Sequence, residues 1–277
     1  GRDVVLKFNK EESQLGDSIL DIRNLVKINS FGKHVLDGLS FRIRAGEVVG
    51  IAGVEGNGQT ELSQVISGLT DFATGDVILN GKSIKGQSVK QIRDNGLAYI
   101  AEDRMVEGIA ADMSIEMNIM ADRFYDKKYK NGPFINSRMI RQEVEDYIQE
   151  FEIMCDGPDQ PVRMLSGGNV QKVVVAREFT SGANFILANQ PTRGIDVGTA
   201  EMIRKTIIKK SREDQTCTLL ISADLNEVLE CSDRLLVMRK GKIVAAFPKA
   251  NQVSEEELGQ YMLGLKEMSD EQMEGLL

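Results

Sequence analysis

The sequence has no tryptophan, one histidine, three cysteines and five prolines in 277 residues. With His34 as the only histidine, metal centres built from several imidazoles are excluded, and His34 by itself reads as an ordinary residue. Cys155, Cys217 and Cys231 have neither metal-ligand spacing nor a secretory setting, so they read as reduced core or near-core thiols of a cytosolic protein. No apolar run approaches the ~20 residues that cross a bilayer, and no signal-peptide pattern opens the chain. Basic residues are outnumbered, 34 to 42, for a net charge of −8. That balance argues against nucleic acid as a partner, since such binding leans on Lys and Arg at phosphates. The one basic stretch, RKTIIKKSR at 204–212, has helical spacing and reads as a solvated face.

What is present is enough for a packed core: 42% hydrophobic and 27% charged residues, in one large domain or two modest ones. Residues 1–18 read as a polar lead-in, the mark of a piece of a longer polypeptide. ILDIRNLVKI (19–28) and HVLDGLSFRI (34–43) alternate as strands about a turn at Gly32. EVVGIAGV (47–54) is a continuous apolar run, as in a strand covered on both faces. It leads into GVEGNGQTEL (53–62) and then a helical pattern. Strand, glycine loop and helix is the setting of a phosphate loop, G-x-x-x-x-G-K-[ST]. Gly53, Gly58 and Thr60 hold its positions, but Gln59 stands in place of the lysine.

DVILNGKSI (76–84) carries an Asn-Gly hairpin signal, and from about 88 to 165 helical patterns dominate. Strand and helix then alternate through NFILANQ (184–190), a helix over 199–213, TCTLLIS (216–222) and a helix over 225–231, before a hairpin turning at Lys240-Gly241. The expected division is a lead-in over 1–18, an antiparallel β region with the first part of the core over 19–87, a helical subdomain over 88–165, the rest of the core over 166–253, and a helix with an acidic, Met-containing tail over 254–277.

Four further stretches fall in order after the glycine loop, YIAED (99–103), LSGGN (165–169), FILANQPTRGID (185–196) and ISADLNEV (221–228), and Phe31 stands ahead of it. Together they resemble the nucleotide-binding cassette of ABC transporters over nearly the whole chain. The resemblance implies an α/β P-loop NTPase fold: a RecA-like core, an antiparallel β subdomain and an inserted helical subdomain. It implies ATP and Mg²⁺ as cofactors. The nucleotide would be held by Phe31 and by Gly53, Val54, Glu55, Gly56, Asn57, Gly58, Gln59, Thr60 and Glu61. Phe31 is by residue type as good a candidate for a core. Leu165, Ser166, Gly167, Gly168 and Asn169 match the signature that completes a partner's site, because such cassettes work as head-to-tail pairs. Asp196 matches the D-loop. Thr60, Glu102 and, through water, Asn189 are the implied metal-side residues.

Four positions depart from the family pattern, and all weaken hydrolysis. Gln59 gives up a charge-assisted bond, roughly twice the strength of a neutral one. Asn189 brings no negative charge to a metal. Gln190, at the base position, has no basic oxygen, and such assistance is typically worth ~10²–10⁴-fold in rate. Ala223, at the switch position, replaces a histidine. Four departures scattered from 59 to 223 read as natural degeneracy rather than one engineered change. Val170, where glutamine is usual, stands beside the trans site and is expected to soften it.

The nearest branch by motif is the C-terminal, degenerate cassette of tandem ATPases serving bacterial importers of simple sugars and nucleosides, with the nucleoside group slightly favoured. Implied partners are a second cassette, expected as the N-terminal half of the same polypeptide, and transmembrane permease subunits. The implied location is the cytoplasmic face of the membrane. Met113, Ile115 and Met117 are candidates for the permease contact or for plain subdomain packing. A scaffold half that binds no nucleotide is the alternative. A DNA-repair or chromosome-structure ATPase would need heptads or Cys-x-x-Cys pairs in 88–165, and a kinase or GTPase would have no use for LSGGN.

Overall fold

A computed structural model describes residues 10–131 and 133–277. The chain forms two compact units: residues up to 97 with 184–189 and 204–277, and residues 98–183 with 190–203. Residues 1–9 of the expected lead-in lie outside the described residues. Those from 10 to 17 are tied to the first unit through Gly16 N–H to Ala45 O (3.0 Å) and Arg212 Nε to the Glu11 carbonyl (3.0 Å).

The first unit carries two sheets. One is antiparallel, in the order His34–Arg44, Ser18–Ile28, Thr74–Leu79, Lys82–Ser83. Its strands alternate buried and exposed residues, as their sequence does. The other runs Lys242–Phe247, Arg234–Arg239, Val48–Ala52, Cys217–Ile221, Phe185–Asn189. Its last four strands are parallel, and Lys242–Phe247 joins antiparallel through the Lys240-Gly241 turn. Val48–Ala52, Cys217–Ile221 and Phe185–Asn189 are buried at every residue, which is why they read as unbroken apolar runs. Helices Leu225–Cys231 and Glu255–Leu263 pack on this sheet through Val228 and Leu258, against Ala52, Leu235 and Val237.

The helix Val197–Glu213 enters this unit at Arg204. Here the solvated-face reading of 204–212 fails in part. Lys205 and Lys209 are exposed, but the Arg204 and Arg212 side chains are largely sheltered from water, Arg204 reaching Asp224 (2.7 Å) and Arg212 reaching Asp233 (2.6 Å). Cys217 and Cys231 are buried free thiols, and burial pushes the Cys231 thiol up to about 12.

The second unit takes up the chain within the strand Leu97–Ile100. A five-residue π-helix, Arg104–Gly108, follows, capped by Asp103, whose carboxylate accepts from the Met105 and Val106 amides. Helices Ile115–Ile119, Ser137–Glu150 and Gly167–Phe179 make its core from Ile115, Ile119, Ile140, Val144, Val173 and Val174. Between them sits a two-residue hairpin, Lys130–Asn131 with Phe134–Ile135. Tyr129 is buried with its hydroxyl on Glu143 (2.9 Å), an oxygen that Tyr147 and Lys128 also reach.

Candidate functional site: two half-sites

In the first unit, three neighbouring parallel strands end at candidate residues. Val48–Ala52 runs into the glycine loop, Phe185–Asn189 ends on Asn189, and Cys217–Ile221 ends one residue before Ser222 and two before Ala223. Ile221 pairs with both Ile51 and Asn189, so the loop, Asn189 and Ala223 share one sheet edge. The carboxyl ends of parallel strands are where open α/β sheets bind ligands.

The loop is braced by its own asparagine. Asn57 Nδ2 donates to Val54 O (2.9 Å), and Asn57 Oδ1 accepts from Lys240 N–H (2.8 Å). Gly241 N–H donates to the Asn57 carbonyl (2.9 Å). Gly56 and Gly58 have φ of 85° and 109°, where a side chain would be strained. A Cβ at Gly58 would also strike Met238 Cε and Val35 O, at 2.6 and 2.7 Å, whereas one at Gly56 would meet open space. Gln59 begins the helix Gln59–Ile66 and is only 8% exposed. Its carboxamide folds back: Nε2 donates to Val54 O (3.2 Å) and Oε1 accepts from Asn57 N–H (3.1 Å). Glu61, in the first turn of the helix, is half-buried.

Asn189 is 2% exposed and donates through Nδ2 to Ser63 Oγ (3.1 Å). Ser63 in turn donates to Thr60 O (2.9 Å). A carbonyl only accepts, so this bond uses the one hydroxyl proton of Ser63, and Asn189 must present its NH₂. Ser63 was not singled out in the sequence. Its signal is a polar residue three positions after Thr60 on an otherwise apolar helix face. Ala223 is exposed, beside Asp224, which caps the helix Leu225–Cys231 by accepting from Asn226 and Glu227 amides. Phe31 is 93% exposed at a turn in which Asn29 Oδ1 accepts from the Phe31 and Lys33 amides. A core role for Phe31 is thereby overturned.

The second unit gathers the other candidates. The signature helix Gly167–Phe179 starts at exposed Ser166 and Gly167, and its 13 residues put a positive dipole end there. Both glycines also answer a packing demand. A Cβ at Gly167 would lie 3.0 Å from Arg104 Nη2, and one at Gly168 would lie 2.8 Å from Asp196 Oδ2. Arg104 donates to the carbonyls of Arg193 (2.8 Å) and Gly194 (3.2 Å), and Arg193 is ion-paired with Glu102. Glu102, expected to help a metal, therefore has its charge engaged by Arg193. Asp196 accepts from Thr199 N–H (2.9 Å) and Thr199 Oγ1 (2.8 Å), and these bonds, the backbone one foremost, hold its carboxyl below the usual carboxylate range. Gln190 takes a left-handed conformation, φ 52°, and its carbonyl accepts from Arg193 N–H (3.1 Å). Asn169 links Ser166 Oγ (2.9 Å) to Met154 N–H (2.9 Å).

Val170 stands next to Ser166, its N–H donating to Ser166 O (2.9 Å), with its side chain buried in the unit's core. Ile115 is wholly buried, while Met113 and Met117 on either side of it are exposed. The buried turn of the helix takes the middle residue. Arg104, Arg193 and Gln171, whose Nε2 donates to Pro191 O (2.6 Å), carry the local architecture and were not read from the sequence.

Among the described residues no three His, Cys, Asp or Glu side chains gather to hold a metal, and no helix is long and apolar enough to cross a membrane.

The family model described as ABC transporter matches residues 36–193. The chain is 36% identical over 246 residues to the glucose import ATP-binding protein of Haloferax volcanii, covering 88% of this chain and 44% of that protein. It is 34% identical over 264 residues to the guanosine import ATP-binding protein of Bacillus subtilis, covering 95% and 51%. The chain thus spans about half the length of the curated relatives it matches. By structure it resembles a dimeric ATP-binding cassette in a post-hydrolysis state with ADP and phosphate, at TM-score 0.74 and 20% identity over 84% of this chain and 99% of that one. A nucleotide-free ATP-binding cassette of an ABC transporter matches at TM-score 0.70 and 24% identity, over 93% and 98%. These two likenesses speak to the fold, the P-loop NTPase core with its antiparallel and helical additions. With the glycine loop at the sheet edge and the family model over more than half of the sequence, the chain belongs to the ABC transporter family, as an ATP-binding domain.

Proposed function

We propose that the chain is the catalytically degenerate cassette of a pair that drives a bacterial importer of simple sugars or nucleosides. It would bind ATP weakly and supply Leu165–Asn169 to the partner's nucleotide. The observation that carries this reading is the uncharged side chains at two key positions of the phosphate-loop half. Gln59 and Asn189 stand where the family has a cation and a carboxylate, and both carboxamides are bonded to the loop and its helix. The named import functions of the relatives support the transport class, and the tandem arrangement fits the half-length coverage. In this reading residues 88–165 are the helical subdomain facing the permease subunits, with Met113 and Met117 at that surface, and the pair works at the cytoplasmic face of the membrane.

The residues present fit a polyphosphate. The loop keeps its backbone amides, Gly56 opens onto unobstructed space, and an amide nest of this kind holds anions without a lysine. Gly53 to Thr60 would hold the phosphates and Phe31 the base. Mg²⁺ is usually held by one or two carboxylates together with substrate phosphates. Here Thr60 and, through water, Asn189 would contribute neutral oxygens only. Bound Mg²⁺ supplies neutralisation of charge on the transferring phosphoryl group. Gln190 can orient a water but take no proton from it, and Ala223 reaches no phosphate. Hydrolysis at this half would be very slow, while Ser166–Gly168 offer amides to the partner.

Calorimetric titration with Mg²⁺-ATP, with phosphate release followed in the same samples, tests the reading. Micromolar to millimolar binding without turnover is expected. Brisk turnover would overturn it, and an absence of binding would favour a scaffold half that acts only through its signature.

A further inference from the structure

The carboxamide of Gln59 does more than leave out a charge. Its Oε1 accepts from Asn57 N–H at 3.1 Å, which puts a carbonyl oxygen on one of the amides that face an anion in a loop of this kind. Its Nε2 donates to Val54 O at 3.2 Å, so the side chain spans the loop from within. The side chain also passes close to Gly53. A Cβ there would come within 2.3 Å of Gln59 Nε2 and 3.3 Å of its Cδ. The residue is 8% exposed, so the carboxamide is packed into the loop and not waving over it. Val54 O accepts from both Gln59 Nε2 and Asn57 Nδ2, so the bond to the Asn57 amide is the end that Gln59 does not share with the Asn57 side chain, whose Oδ1 accepts from Lys240 N–H.

We infer that Gln59 is a built-in stopper: its carboxamide occupies part of the phosphate cradle and must swing out before a nucleotide's phosphates can enter. This deepens the reading above and rests on it, since it presumes that the loop takes phosphate at all. The two accounts of weak binding make opposite predictions for one variant. If the loop is weak only because a cation is missing, Gln59→Ala leaves affinity where it is or lowers it. If the carboxamide competes with the ligand, Gln59→Ala removes the competitor and affinity rises. One or two net hydrogen bonds correspond to a gain of about 3- to 10-fold. Gln59→Lys removes the stopper and restores the charge, and should exceed the alanine variant.

The experiment is calorimetric titration of the wild-type chain, Gln59→Ala and Gln59→Lys with Mg²⁺-ATP and, separately, with sodium tripolyphosphate, alongside hydrogen exchange of the Asn57 amide without ligand. The expected result is tighter binding of both probes by Gln59→Ala, and faster Asn57 exchange in that variant than in wild type. Equal or weaker binding by Gln59→Ala while the wild type binds overturns the stopper and leaves the weak-binding reading standing. Unchanged Asn57 exchange also overturns it, and needs no ligand. If no variant binds either probe while all three keep the wild-type thermal transition, both the stopper and the weak-binding reading fall.

Discussion

The two half-sites of this chain manage polar groups in opposite ways. In the first unit the side chains at the phosphate loop turn inward: Gln59 onto Asn57 and Val54, Asn57 onto Val54 and Lys240, Asn189 onto Ser63. In the second unit charged side chains stand behind the signature, Arg104 on the carbonyls of 193 and 194 and Arg193 on Glu102, while Ser166 and Gly167 face outward. An inward-bonded polar cluster is stable without a ligand. The buttressed helix start instead leaves Ser166 and Gly167 exposed. The difference teaches that one chain can bond its polar side chains inward at one cluster and leave a braced helix start facing solvent at another, each through bonds of its own.

The sharpest way to break this contrast is to put charge back into the first half. Asn189→Asp places a carboxylate at a position 2% exposed, against a hydroxyl whose proton already serves Thr60 O. A loss of about 3 kcal/mol at neutral pH is expected, the order of an uncompensated buried charge. Burial raises the folded pKa above the unfolded value of about 3.9. The wild-type-like stability is therefore fully present below the unfolded pKa and lost as pH rises through the folded one. Thermal melts at acid and neutral pH check this: a deficit that does not shrink toward acid pH would mean that Asn189 is not held as described. The largest effect expected in the second half comes from Gly168→Val, which drives a side chain into Asp196 at a cost of roughly 2 kcal/mol. Denaturant unfolding measures it, and a neutral result would show that the glycine is not a packing requirement.

A smaller effect is expected from Arg104→Ala. Removing the fork that grips two carbonyls should cost about 1–2 kcal/mol and loosen residues 193–196, read as faster amide exchange at Gly194. Arg104→Lys should rescue little, because an ammonium cannot span both carbonyls. The smallest comes from Glu102→Gln. Its partner Arg193 is more than half exposed, so a change within about 1 kcal/mol is expected. A larger loss would make that ion pair a structural pin.

Much of the first unit was legible in the sequence because its signals are local. The apolar run before Gly53, the Asn-Gly turn and the Lys240-Gly241 turn each depend on neighbours along the chain. The helix 225–231 followed from the same short-range rules. What escaped depends on residues distant in sequence. Gln59 could be recognised as a missing cation, but its fold-back onto Asn57 needs the loop in three dimensions. Arg104 meets the carbonyls of 193 and 194 across some ninety residues. Which of Met113, Ile115 and Met117 packs inward stayed open, because a motif position does not say which side of a helix faces the core. Arg204 and Arg212 were read as solvated because their acidic partners come from later elements.

The bond from Lys240 N–H to Asn57 Oδ1 joins positions 183 residues apart. On a ribosome, which delivers a chain from its N-terminus, the glycine loop emerges long before the hairpin that braces it. The sequence that looks most local in this protein therefore acquires its working shape among the last, once almost the whole domain has been made. A truncation ahead of Lys240 would keep every residue of the loop and still lack its brace.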